Sequence, residues 1–151
     1  MDRPIQSRVN ARRLKDLALF SGCSMKELRR MEPLMTEAHV PAGRVLTSRT
    51  QRGAEFFIVV TGTASVWRED LHLDVIGPGG FFGELALFDQ GMRTASVIAD
   101  TDMELLILSP QEFRSPHFLT ASVMQGMLRV FSERLRRADE RMDRRAWYAS
   151  P

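Results

Sequence analysis

Residues 77–97 read GPGGFFGELALFDQGMRTASV, a glycine-rich and apolar run that carries Glu84 and, nine residues on, its one arginine, Arg93. Gly77-Pro78-Gly79-Gly80 reads as a tight turn closing a strand, because proline presets one turn dihedral and glycine supplies a positive φ. Gly83 precedes Glu84-Leu85-Ala86-Leu87, four good helix formers that make about one turn of helix. A glycine at the mouth of a helix lets a ligand approach the backbone, and the free N–H groups there attract anions. Glu84 is a poor anion ligand but a good acceptor for hydroxyls beside an anion. The planar fork of Arg93 can grip two phosphate oxygens at once. Such a set suits a ligand with one phosphate and one or more free hydroxyls, and a ribose phosphate meets that description. The spacing alone equally allows a plain ion pair, with Glu84 capping its own helix and facing Arg93, although desolvation offsets much of that attraction if the pair is buried.

Outward from this stretch the chain falls into three textures. Eight of the ten glycines lie between Gly43 and Gly91 and separate short apolar runs, namely GRVLT, EFFIVV, TASVW, LHLDVI, TASVIA and MELLIL. Short strands spaced roughly 8–12 residues apart with turn signals between them indicate a β-sandwich or barrel rather than alternating βαβ units. This β segment is placed at residues 37–109. Before it, residues 1–36 are helical over about 8–36: Leu14, Leu17 and Ala18 share one face, and Met25, Leu28, Met31 and Met35 another. Ser24 with Glu27 three positions on forms a capping box for the second helix. After it, residues 110–151 are helical again, with Pro110 in the first turn of a short helix and Pro116 at the start of a long one. Along that long helix Met124, Leu128, Phe131, Leu135, Ala138 and Met142 recur at alternating spacings of four and three. This heptad seam predicts a homodimer, with Arg134 and Asp139 flanking it, and packing of the same stripe on the chain's own barrel is the alternative.

Composition excludes several classes. The 151 residues are 44% hydrophobic and 26% charged, as in a globular protein, and amount to about one domain. No apolar run approaches the roughly 18–20 residues that span a bilayer, and the charged N-terminus lacks the apolar middle of a secretory signal. Cys23 is the single cysteine, which fits a reducing cytoplasm, and no base near it in sequence marks it as a nucleophile. A net charge of +2 is too weak an excess to argue for direct nucleic-acid binding. The arginines at 129, 134, 136, 137, 141, 144 and 145 alternate with Glu133, Asp139, Glu140 and Asp143, which reads as a solvated face. His39, His72 and His117 lack metal-ligand spacing, so neither a metal nor catalysis is expected. Phe56, Phe57 and Trp67 read as core, and Trp147 and Tyr148 as exposed lid or partner contacts or a frayed end.

The run FFGELALFDQGMRTASV resembles the phosphate-binding cassette of cyclic-nucleotide-binding domains, the family of the catabolite activator protein and of protein kinase A regulatory subunits. The pattern F-G-E-x-A-L, a short spacer and R-[TSA]-A-x-V matches at every fixed position, placing the cassette at residues 80–97. PAGRVLTSRTQRGAEFFIVVTGTASV is similar to the family's opening strands, with Gly43, Gly53 and Gly62 at its glycine positions, and the likeness extends over about residues 12–140. It implies a mainly β fold, a jelly-roll β-barrel with N-terminal helices and a long C-terminal helix. It also implies a binding site made of Phe82, Gly83, Glu84, Leu85, Ala86, Arg93, Thr94, Ala95 and Arg134. Glu84 would accept the ribose 2′-hydroxyl. Arg93 and the backbone N–H groups of Leu85 and Ala86 would hold the phosphate, and Gly83 would permit close approach. Thr94 stands beside the base without deciding it, and Arg134 or Arg129 would cap the purine from the long helix. The ligand implied is a 3′,5′-cyclic nucleotide, cAMP before cGMP, with no cofactor. Thr50 and Ala54 depart from the family pattern in a loop outside the cassette. Where the family's transcription factors continue into a helix-turn-helix, only DRRAWYASP follows, so a stand-alone sensor signalling to a protein effector is expected. The alternatives are a structural dimer of the same fold that has lost its ligand, the ligand-binding part of a larger regulator, channel or enzyme, and a jelly-roll metal enzyme.

Overall fold

The computed structural model describes residues 9–47, 55–83 and 95–149, with side chains described as far as residue 143. Thr50 and Ala54 lie outside the described residues. Among those described, eight strands form two four-stranded antiparallel sheets. The strands are β1 (Thr36–Val40), β2 (Val45–Thr47), β3 (Phe56–Thr61), β4 (Ala64–Arg68), β5 (Leu71–Ile76), β6 (Phe81–Phe82), β7 (Ser96–Ala99) and β8 (Met103–Leu108). One sheet runs β1-β8-β3-β6 and the other β2-β7-β4-β5, the jelly-roll arrangement in which successive strands mostly alternate between sheets.

The two sheets read differently in sequence because they are buried differently. In β3, Phe57 and Val59 point between the sheets, while Phe56, Ile58 and Val60 point the other way, into a second core shared with the helices. In β8, Met103 and Leu105 face the first core and Leu106 and Leu108 the second. Burial on both faces explains why FFIVV and MELLIL are nearly continuous apolar runs. The second sheet contributes to the inter-sheet core alone, and its edge strand β5 buries Ile76 there while leaving Leu71 and Val75 exposed. Trp67, read from sequence as core, is half-buried on this sheet against the His72 ring, 4.9 Å away, because cross-strand contact does not carry it into either core. Strand β1 has no apolar run to announce it; TEAHV pairs with β8 through its backbone.

The turn at Gly77-Pro78-Gly79-Gly80 forms as expected. The Gly80 N–H donates to the Gly77 carbonyl at 3.0 Å, and Gly79 follows the proline with φ +84°, the type II arrangement. Its backbone bonds Val59 of β3, and it presses on Ala18, whose N lies 2.9 Å from where a Cβ on Gly79 would sit.

The N-terminal segment forms two helices, as the cap at Ser24 predicts, each followed by a 3-10 turn. It breaks into α1 (Ala11–Lys15), a 3-10 turn at Ala18–Phe20, α2 (Met25–Met31) and a 3-10 turn at Glu32–Leu34. The break lets Leu17, Leu19, Phe20 and Cys23 all turn inward. Asn10 caps α1, and Ser24 with Glu27 forms the expected capping box on α2. After β8, α3 (Pro110–Arg114) starts at the expected proline with a second capping box, Ser109 and Glu112.

Pro116 does not start the long helix. Helix α4 (Ala121–Ala149) begins five residues later, where Thr120 Oγ1 accepts the Val123 N–H at 3.2 Å. The intervening turn buries Phe118 completely among Phe20, Phe56 and Phe113, with ring centroids 6.2, 6.0 and 5.7 Å away, and that burial outweighs the proline's preference. No helix among the described residues is long and apolar enough to cross a membrane.

Candidate functional site

The site is best built from the two ends of the quoted stretch. Strand β6 is the edge of one sheet: Phe82 pairs with Phe57 of β3 and stacks on it, ring centroids 4.8 Å apart and nearly parallel. Its neighbour Phe81 faces the other way, fully buried against Phe56 at 5.3 Å and edge-on to Phe131 of α4 at 5.3 Å. Gly83 then takes φ +92°, a backbone that an L side chain rarely adopts. Description resumes at Ala95, just before β7, an inner strand of the other sheet. The intervening segment therefore joins an edge of one sheet to the interior of the other. Glu84, Leu85, Ala86, Arg93 and Thr94 lie outside the described residues.

Helix α4 supplies the opposite wall. Arg134 is half-buried, donates to the Phe81 carbonyl oxygen, and sets its guanidinium carbon 4.7 Å from the Phe81 ring centroid and 6.0 Å from that of Phe131. A cavity of about 170 Å³ lies beside it, lined among others by Ala18, Ile76, Gly79, Val130 and Arg137. Arg129, the other arginine singled out from the sequence, donates to Ser21 Oγ, 3.3 Å away on the N-terminal segment. Arg134 is turned inward onto Phe81.

The heptad stripe divides. Phe131 packs on the core, whereas Met124, Leu128, Leu135 and Met142 are 46%, 64%, 64% and 68% exposed. A different face of the same helix, with Val123 and Met127, is buried in the chain's own core. Of the stripe itself, Phe131 alone among its large apolar residues packs on the chain's own core.

Two clusters escaped the sequence reading. Asp74 of β5 accepts from Arg137 at 3.3 Å and faces Arg141 at 3.7 Å, a link that an aspartate in an alternating strand does not advertise. Glu37, His39 and Glu104 bring their ligand atoms within 4.8 Å of one another because His39 lies opposite Glu104 across β1 and β8. Arg13 takes one Glu104 oxygen at 3.5 Å and the Thr61 hydroxyl the other at 3.4 Å, so this group is a network of ion pairs and hydrogen bonds. Deep in the helical core, burial pushes the Cys23 thiol up to about 11, with Glu27 adding to the rise, as befits a structural residue. The Ser24 backbone N–H, as the largest of several hydrogen bonds, holds the Glu27 carboxyl below its usual range.

Two four-stranded antiparallel sheets in jelly-roll order, with helices before them and a long helix after them, define a β-roll. Residues 37–116, just over half of the chain, match the family described as "Cyclic nucleotide-binding domain", and the chain belongs to that family. It is similar to the cyclic AMP receptor protein of Thermus thermophilus, 28% identical over 135 residues that make up 86% of this chain and 62% of that protein. It is also similar to the cAMP-dependent protein kinase regulatory subunit of Aspergillus fumigatus, 30% identical over 107 residues, 67% of this chain and 25% of that one. The crystal structure of the Thermus thermophilus catabolite activator protein superimposes with a TM-score of 0.70 at 28% identity, covering 85% of this chain and 63% of that one. The chain thus spans less than two-thirds of the length of these relatives.

Proposed function

We propose that this chain reversibly binds a 3′,5′-cyclic nucleotide, cAMP in preference to cGMP, as a regulatory domain in the cytoplasm and not as an enzyme. The observation that carries this reading is the complete cassette pattern, Phe82-Gly83-Glu84 through Arg93-Thr94-Ala95, in a chain of the cyclic-nucleotide-binding family. Glu84 accepts the ribose 2′-hydroxyl, Arg93 grips the exocyclic phosphate oxygens, and the Leu85 and Ala86 N–H groups assist. The positive φ of Gly83 supports close approach of the ligand to the backbone there. Thr94 lies beside the base, and Phe82 and Ala95 frame the cassette. The place of Arg134 against Phe81, one residue before Phe82, supports its role as the purine cap.

Binding shifts α4 between two pre-existing arrangements, by as much as the ligand's affinity for the two differs. The exposed stripe of Met124, Leu128, Leu135 and Met142 supports a homodimer through this helix, and the signal passes to a protein effector rather than directly to nucleic acid. The same stripe favours a second reading, an interaction dimer that does not bind nucleotide. Competition with 2′-deoxy-cAMP tests the site. The parent prefers the ribose ligand, and Glu84→Ala binds more weakly with that preference reduced. An unchanged preference would reject the hydroxyl role, and no binding of either ligand by the folded parent would favour the interaction dimer.

A further inference from the structure

The long helix is held by two different kinds of contact. Up to Phe131 it contributes apolar side chains to the core; beyond Phe131 none of its described apolar side chains joins either core. Among the described residues, arginines 134, 137 and 141, spaced three and four apart and therefore on one face, bond to the roll there. Arg134 reaches β6 of one sheet, while Arg137 and Arg141 reach Asp74 on β5, the edge of the other. Asp74 divides its work: Oδ2 takes Arg137, and Oδ1 faces Arg141 and also accepts the Val75 N–H at 2.9 Å, which fixes the carboxylate in place. The Asp74 side chain is 22% exposed and the two arginines about half exposed, so the pairing is screened and breakable.

We propose that Asp74 is a positioning residue that latches the second half of α4, fixing the register at which Arg134 meets Phe81. This rests on the cyclic-nucleotide reading, since the latched arrangement is the one that places the capping arginine beside the cassette before ligand arrives. A protein whose binding-competent state is less populated binds with an affinity lowered by that fraction. Releasing the latch therefore weakens cyclic-nucleotide binding without touching any group that contacts the ligand.

The test combines amide hydrogen exchange on ligand-free protein with cAMP titration. In Asp74→Asn, exchange over residues 134–143 speeds up roughly three- to tenfold, the range that one or two half-exposed ion pairs support. Residues 121–131 are unchanged. In the parent, raising the salt concentration speeds exchange over 134–143 as well, and in Asp74→Asn that salt dependence is lost. The dissociation constant for cAMP rises by a similar factor. Equal exchange in parent and variant would overturn the latch. Faster exchange with an unchanged dissociation constant would overturn the positioning role. A parent that binds neither cAMP nor cGMP would instead overturn the functional reading, leaving the ligand-free exchange to decide the latch by itself.

Discussion

The two halves of the long helix are joined to the same roll by opposite means. The first half is locked at backbone distance: Gly126 lies directly against the Leu19 carbonyl, Val123 and Met127 are buried, and Ser122 donates to Glu27 at 3.2 Å. The second half leaves Leu135 and Met142 in the open and touches the roll through arginines. Close packing transmits strain and has few alternative arrangements, whereas screened polar ties can be exchanged for others at small cost.

The sharpest way to break this contrast is at Gly126. A Cβ there collides with the Leu19 carbonyl, a backbone atom that has no rotamer in which to retreat. Gly126→Ala is expected to cost about 3 kcal/mol of stability, near the upper end of overpacking costs, and chemical denaturation measures it. A variant as stable as the parent would mean that the first half is held no more firmly than the second.

A smaller effect comes from Cys23, in the block that grips the first half. Burial holds its thiol at about 11 in the folded state, above its ordinary value near 9. Its contribution is therefore constant below about pH 9 and is lost as pH rises toward 11, because the unfolded chain ionises first. In denaturation series across that window the parent loses more stability than Cys23→Ala. Parallel curves would show that the thiol is not protected.

The smallest effect on the fold and the clearest on assembly is expected at Leu135. Its exposure predicts that Leu135→Glu melts within a degree or two of the parent, as surface substitutions do. If the stripe is a dimer seam, the same change puts charge into it and lowers the sedimenting mass. An unchanged mass would assign the stripe to another partner.

Much of this was legible in sequence where one local rule decides the outcome. The capping box at Ser24, the helix start at Pro110, the Gly77–Gly80 turn and the apolar strands β3 and β8 each follow from a few adjacent residues. The misses lie where a distant partner decides. Pro116 could have opened α4, but Phe118 is drawn into a cluster assembled from residues 20, 56 and 113. The two expected N-terminal helices are shorter than the apolar periodicity suggests, because burying Leu17, Leu19 and Cys23 together takes a 3-10 turn between them. TEAHV carries no apolar run because β8 supplies its pairing. At the site, the motif singled out Phe82, Gly83 and Ala95, whereas the inward turn of Arg134 and the ion pairs of Asp74 depend on how α4 runs past both sheets. Glu84, Leu85, Ala86, Arg93 and Thr94 rest on the motif alone.

The central claim is that the cassette holds a cyclic nucleotide through Arg93. Isothermal titration of the purified, nucleotide-free protein with cAMP and with cGMP, beside the folded Arg93→Ala variant, tests it most directly. The account predicts saturable binding near one ligand per chain, tighter for cAMP, and severely weakened when the charge-assisted double contact is removed. No binding of either nucleotide, or equal affinity in parent and variant, would contradict it.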